Sequence, residues 1–216
     1  MICALMIGRA GSKGFPGKNL KKVLGRYLYE YPLIAAKKSK YIDRIFISTD
    51  CPTIVRGGKK YGATIIKRPR KLADSKTLGE DVFRHGYFEI LKKLNIDSKK
   101  IEFIILLMAN APTITDRLID KGINILKKNK NLDSAVTTSV YNMWSPLRAR
   151  KMDKNKLLKP FVPFKAFGNP KTLNCDRDSQ GNVFYADMSV SIVRPKCLEK
   201  LESGLLPQKW MGKKIA

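Results

Sequence analysis

At 216 residues the chain has the length of one domain with room for a substantial core, and 43 Lys and Arg against 18 Asp and Glu give it a net charge of +25. The excess is shared between the halves, with 23 basic and 9 acidic residues up to position 108 and 20 and 9 beyond it, so it forms no basic tail, and no recognised nucleic-acid-binding module accompanies it. The four cysteines are dispersed without a CxxC pair, which argues against a disulfide frame or a zinc site, and no apolar run reaches the length of a membrane span.

Pairs such as Lys37-Lys38, Lys59-Lys60, Lys92-Lys93 and Lys127-Lys128 fall on expected helices and read as solvated surface, the remaining charge serving an anionic substrate. No nucleic-acid partner and no membrane partner are expected. The opening residues lack a basic segment followed by a long apolar one, and with the dispersed thiols this suggests a cytoplasmic protein.

In chain order, Ile2 to Ile7 is continuously apolar and ends at Gly8, the pattern of a buried parallel strand feeding a loop. The next eleven residues, Arg9-Ala-Gly-Ser-Lys-Gly-Phe-Pro-Gly-Lys-Asn19, combine three cations with three glycines. Glycines let main-chain N–H groups approach anionic oxygens while Arg9, Lys13 and Lys18 supply charge, so the loop reads as a triphosphate site. It is neither Walker A, since Asn19 stands where Ser or Thr is needed, nor the Rossmann fingerprint, since its glycines fall as GxxGxxG.

Helix is then expected over Glu30 to Lys40, strand over Arg44 to Thr49, helix from about Pro52 to Tyr61 and strand over Ala63 to Lys67. Gly79 to Leu94 shows helical apolar spacing, Glu102 to Met108 reads as a fourth strand, Thr115 starts a helix running to about Asn129, and Ser134 to Val140 is a fifth strand. From Tyr141 to Asp178 the alternation stops among Pro146, Pro160, Pro163 and Pro170, which marks a functional or intersubunit segment. Gly181 to Val193 reads as a last strand pair and Pro195 to Leu201 as a short helix. The alternation implies an α/β fold of three layers, a mostly parallel sheet flanked by helices, with ligands at the carboxyl ends of the strands.

The spacing Arg9-x-x-Ser12-Lys13-Gly14-x-x-x-Lys18-Asn19 resembles the N-terminal signature of the acylneuraminate cytidylyltransferases, the CMP-sialic acid synthetases and relatives that activate other acidic nine-carbon sugars. Ile47-Ser48-Thr49-Asp50, Arg68-Pro69-x-x-Leu72-Ala73 and Leu106-Leu107 followed by Pro112 occur in the expected order, and the resemblance is strong up to about residue 140. It implies a nucleotide-diphospho-sugar transferase-like, Rossmann-like fold: a single nucleotidyltransferase domain over residues 1–216, with 141–178 as an insertion for dimerisation and sugar contact. The reaction implied is CTP plus an acidic 2-keto sugar giving CMP-sugar plus pyrophosphate, with Mg²⁺ as cofactor, in a homodimer. The alternatives are transfer from another nucleotide or to another anionic acceptor, and a nucleotide-binding relative impaired in catalysis.

On this reading Arg9, Lys13 and Lys18 bind the phosphates and carry catalysis, while Ala10, Gly11, Ser12, Asn19, Arg68 and Thr77 bind the nucleotide. Asn19 would read the edge of cytosine or else cap a turn, and Arg68, leaving a strand before Pro69, would point into the cleft or else lie on the surface. Asp50 either orients cations or caps the helix after it, Asp74 lies near the base, and His85, the single histidine, reads as surface. Asn110, Asp187 and Ser189 are candidate sugar contacts. Two departures stand out: Met108 occupies the place where the family commonly has Gln, and no acidic IDxxxD-like segment precedes Ala216. Asp187 is therefore the best internal metal ligand, and the main ligands are expected in a native extension past Ala216.

Overall fold

The computed structural model describes residues 1–12, 14–74 and 76–216, which divide into two compact units: Met1–Thr137 with Met188–Ala216, and Thr138–Asp187. In the first unit, β1 (Ile2–Ile7) enters the glycine-rich loop, which is followed by the two-residue strands β2 (Lys22–Val23) and β3 (Arg26–Tyr27). Then come α1 (Glu30–Lys38), β4 (Arg44–Thr49), α2 (Pro52–Lys60), β5 (Thr64–Lys67), α3 (Gly79–Leu94), β6 (Phe103–Met108), α4 (Asp116–Lys128) and β7 (Ser134–Val140). The chain returns through β10 (Phe184–Val193) and α5 (Lys196–Glu199), after the hairpin β8 (Arg150–Met152) and β9 (Leu158–Pro160) of the second unit.

The six-stranded sheet has the order β5-β4-β1-β6-β10-β7. β5, β4, β1 and β6 are parallel, with Cys3 opposite Arg44, Phe46 opposite Thr64 and Ile2 opposite Phe103, so these strands begin side by side; β10 runs antiparallel to β6. Side chains alternate across the sheet. Ile2, Ala4 and Met6 of β1 join Phe103, Ile105 and Leu107 of β6, Leu33 and Ala36 of α1 and Ile119, Ile123 and Leu126 of α4 in one buried cluster. The other face receives α3, whose backbone at Gly86 lies against Leu5 and whose Phe83 packs on Trp210 with ring centroids 5.6 Å apart. Helices on both faces explain why these strands are apolar throughout instead of alternating.

The helix ends follow physical chemistry. Thr115 caps α4 by accepting the Leu118 N–H, and α1, α2, α3 and α4 each finish in a Lys-Lys pair, where cations complement the helix dipole. Because each helix runs back against its strand, all four pairs come to the edge where the strands begin. At that edge Asp133 fixes the end of the chain: Oδ1 lies 2.6 Å from the Lys196 ammonium, while Oδ2 accepts the N–H groups of Lys213 and Lys214. Residues 214–216 then run parallel to the start of β7, with Ala216 N–H donating to the Ser134 carbonyl.

Two expectations are corrected. The segment Gly181 to Val193 holds one long strand, Phe184–Val193, not a strand pair, because the turn-forming Gly181 and Asn182 precede it instead of dividing it. The stretch from Tyr141 to Asp178 is less irregular than its prolines suggest: it contains the β8–β9 hairpin and several 3₁₀ turns. Within the second unit Asn142 is a hub, donating to Asp178 Oδ1 and accepting from Val183 N–H, and Tyr141, Trp144 and Tyr185 meet edge to face. Among the described residues no helix is long and apolar enough to cross a membrane.

Candidate active site

A cavity of about 420 Å³ opens in the first unit at the carboxyl ends of the parallel strands. Its walls come from the end of β1 and the loop after it (Gly8, Arg9, Ser12, Phe15, Lys18, Asn19), from the segment after β5 (Arg68, Leu72, Asp74, Thr77), from the start of α3 (Gly79, Val82) and from the end of β6 (Met108, Asn110). A side chain at Gly8 would press its Cβ to within 2.7 Å of the Ala109 Cβ, so only glycine lets the chain leave β1 here. Gly17, at φ 65, makes the left-handed turn that starts the 3₁₀ segment Lys18–Leu20 and lays Asn19 inward.

Asn19 is 6% exposed, and its Nδ2 donates to the Arg9 carbonyl at 3.0 Å. A carbonyl can only accept, so this bond fixes the amide orientation and leaves Oδ1 a buried acceptor with no partner among the described residues. Arg68 is also 6% exposed; its Nη2 donates to the Ser48 carbonyl at 2.6 Å and its Nε to Ser48 Oγ. Burial lowers this guanidinium to about 10, Asp50 opposing and Arg9 adding to the shift, so it stays charged at neutral pH. Arg9 itself is tethered by donating to the Ala73 carbonyl at 3.3 Å.

Asp50 does not cap α2, and among the described residues it acts on the cation Arg68 through charge, not through a salt bridge. Its Oδ1 accepts the Ala10 N–H at 2.9 Å, pinning the backbone of the glycine loop to the end of β4. Asp74 folds its own loop by accepting from Lys76 and Thr77 N–H, bonds that hold its carboxyl below the ordinary range. The cavity thus joins a cationic rim, a polar floor with one open acceptor, and an apolar side formed by Phe15, Leu72, Val82 and Met108.

Of the residues singled out from sequence, Arg9, Ser12, Lys18, Asn19, Arg68, Asp74, Thr77, Met108 and Asn110 line this cavity. Ala10 and Gly11 lie in the loop behind the rim, and Lys13 lies outside the described residues. Ser189 sits half-buried in β10 and does not line the cavity, while Asp187 is an exposed residue of β10 within the second unit. His85 is half-buried, not superficial, and its Nδ1 is buried without a partner among the described residues. Sequence reasoning missed Phe15, Leu72, Val82 and Gly79 in the cavity wall, and Ser48 behind Arg68. Phe15 had its place in the glycine loop as a signal, Leu72 and Ser48 the segments that carry the resemblance, and Gly79 and Val82 only their position at a helix start.

The residues present do not form a metal cage. Among the described residues no three His, Cys, Asp or Glu converge, and Asp74 is the carboxylate of the cavity wall, already engaged by its own loop.

The chain matches the cytidylyltransferase family over residues 3–203. It is 25% identical over 170 residues to the pseudaminic acid cytidylyltransferase and UDP-2,4-diacetamido-2,4,6-trideoxy-beta-L-altropyranose hydrolase of Helicobacter pylori, covering 78% of this chain and 31% of that protein. It is 30% identical over 162 residues to the CMP-N,N'-diacetyllegionaminic acid synthase of Legionella pneumophila, covering 74% of this chain and 66% of the relative. Against a solved CMP:2-keto-3-deoxy-manno-octonic acid synthetase complexed with CTP, the fold superposes with a TM-score of 0.64 at 14% identity, over 96% of this chain and 80% of the other. The parallel sheet, the glycine loop leaving its first strand and a match running nearly the whole length together show that the chain belongs to the cytidylyltransferase family.

Proposed function

We propose that the protein transfers the cytidylyl group of CTP to the anomeric hydroxyl of an acidic 2-keto sugar of the sialic acid kind, releasing pyrophosphate. The observation that carries this reading is the open acceptor Asn19 Oδ1, buried in the cavity and locked by the Arg9 carbonyl. Cytosine presents an exocyclic amine to such an acceptor, whereas uracil presents a carbonyl oxygen that would face Oδ1 with both groups unpaired. Arg9 and Lys18 at the rim suit the triphosphate, and the buried Arg68 adds a fixed charge that needs no reorganisation as negative charge develops. In the transfer the sugar oxygen bonds to the α-phosphorus as the bond to the bridging pyrophosphate oxygen breaks. Mg²⁺ belongs to the proposal as an ion that would offset triphosphate charge; among the described residues the cavity offers it no set of carboxylates.

The acceptor's class rests on the relatives named above, and Met108 supports a second reading in which the acceptor lacks a group for Gln to bind. A cytoplasmic setting is supported by four unbridged thiols. A homodimer is supported by the second unit, where Trp144, Phe161, Phe184 and Leu158 are each at least 60% exposed, a density of apolar surface that soluble monomers rarely leave open. Light scattering at micromolar concentration should report twice the chain mass, and a clean monomer would remove the dimer.

The functional test is pyrophosphate release with CTP, UTP, ATP and GTP against a panel of acidic sugars. Turnover should be confined to CTP. Equal use of CTP and UTP would overturn the role of Asn19, and no release with any acceptor would overturn the transfer itself.

A further inference from the structure

The lysine pairs that read as scattered solvated surface in the sequence are not scattered in the fold. The starts of β1, β4, β5 and β6 lie in register, and the Arg194 N–H donates to the Asp133 carbonyl, which brings the start of β7 to the same edge. The four helix ends that precede β4, β5, β6 and β7 therefore deliver their Lys-Lys pairs to one face of the first unit, at the end of the sheet away from the cavity. Lys99, Lys100 and Lys130 of the connecting segments add to it.

Every one of these lysines is exposed, and among the described residues none of the paired ones lies within salt-bridge distance of a carboxylate. Three of the nearby carboxylates are occupied with holding the fold: Asp43 accepts the Ile2 N–H, Asp97 the Lys99 N–H, and Asp120 the Ser39 hydroxyl. The helix dipole accounts for a cation at each end but not for its doubling at all four. Lys127 lies over the Tyr41 ring at 4.5 Å, which ties the end of α4 to the connection after α1.

From this convergence we infer that the amino-end face of the sheet is a docking surface for an anionic bilayer, holding the protein on acidic headgroups with its cavity turned to solvent. The chemistry favours a bilayer over a nucleic acid. All eight paired residues are Lys, point charges suited to a diffuse field, whereas recognition of single phosphates and bases draws on the arginine fork and on exposed aromatic rings. The charges also span a sheet edge several strands wide, about 4.8 Å per strand, which makes a two-dimensional array and not a track along a backbone. No span and no apolar wedge is needed, because juxtamembrane lysines bind acidic lipid by charge alone. The expectation of no membrane partner, drawn from the lack of an apolar run, does not bear on this mode.

The test is flotation of the full chain with vesicles of phosphatidylcholine alone and of equimolar phosphatidylcholine and phosphatidylglycerol. Binding is expected to the anionic vesicles only and should weaken steeply as salt rises. Reversing one lysine at each helix end, Lys38→Glu, Lys60→Glu, Lys93→Glu and Lys128→Glu together, should lower partition by at least a hundred-fold, at about five-fold per lysine. Circular dichroism and unchanged pyrophosphate release report that the variant is folded. If it is not, the Lys→Gln set, which removes half as much charge, should show a smaller loss of still at least a hundred-fold, and the Lys→Arg set should keep binding. Equal flotation with neutral and anionic vesicles, or undiminished binding by a folded variant, would overturn the surface. Retention on single-stranded RNA at a salt concentration that has already released the vesicles would overturn the bilayer in favour of nucleic acid.

Discussion

The two ends of the sheet carry the same sign of charge and treat it in opposite ways. At the carboxyl end two cations of the cavity are fixed: Arg68 is buried on Ser48, Arg9 is tied to the Ala73 carbonyl, and the loop that carries Arg9 is pinned by Asp50. At the amino end they are many and exposed, on side chains in the last turns of four helices. A fixed cation keeps little rotamer entropy to lose on meeting a ligand and suits a reaction in which one phosphorus must be held in line. Exposed lysines suit a diffuse partner that has no single geometry.

The strongest way to break this contrast is at the rim. Arg9→Ala and Lys18→Ala should each lower the rate of pyrophosphate release by roughly 2–4 kcal/mol in the transition state with the fold intact, as befits loss of a charge-assisted phosphate contact. A near wild-type rate in both would show that the carboxyl-end cations are not preorganised for chemistry. Next in size is base selection. Asn19→Leu removes the open acceptor, and the preference for CTP over UTP, measured by calorimetric titration, should shrink by about 1–3 kcal/mol; an unchanged ratio would transfer base reading to another group.

The amino end offers a sharper version of the contrast, because one charge there is fixed. Hydrogen bonds from Lys196 and from the Lys213 and Lys214 N–H groups outweigh burial and lower the Asp133 carboxyl to about 2. Its folded value lies below the unfolded one near 4, so its stabilisation is fully present above that pH and is lost as pH falls towards 2. Acid unfolding of Asp133→Asn compared with wild type should show a deficit on the order of 1–2 kcal/mol at neutral pH that closes in acid, and a deficit independent of pH would assign the effect to packing. The smallest effect belongs to the paired lysines: Lys60→Gln should change thermal stability by less than about 0.5 kcal/mol. A larger cost would mean that this face serves the fold.

Much of the architecture was legible before any coordinates. β4 at Arg44–Thr49, α3 at Gly79–Leu94 and β7 at Ser134–Val140 fall at the expected residues, because buried strands need unbroken apolar runs and helices need their apolar stripe, and both are local patterns. The glycine loop was legible for the same reason: Gly8, Gly17 and the cations between them state a backbone requirement and a charge in adjacent residues. Tertiary structure alone decided which polar groups stay open. Asn19 looks the same in sequence whether it caps a turn or offers an acceptor, and only the Arg9 carbonyl, ten residues away and folded back over it, resolves the orientation. Likewise each Lys-Lys pair is locally an ordinary helix end. It takes parallel strands starting side by side, a long-range consequence of the sheet's register, to gather four of them into one surface.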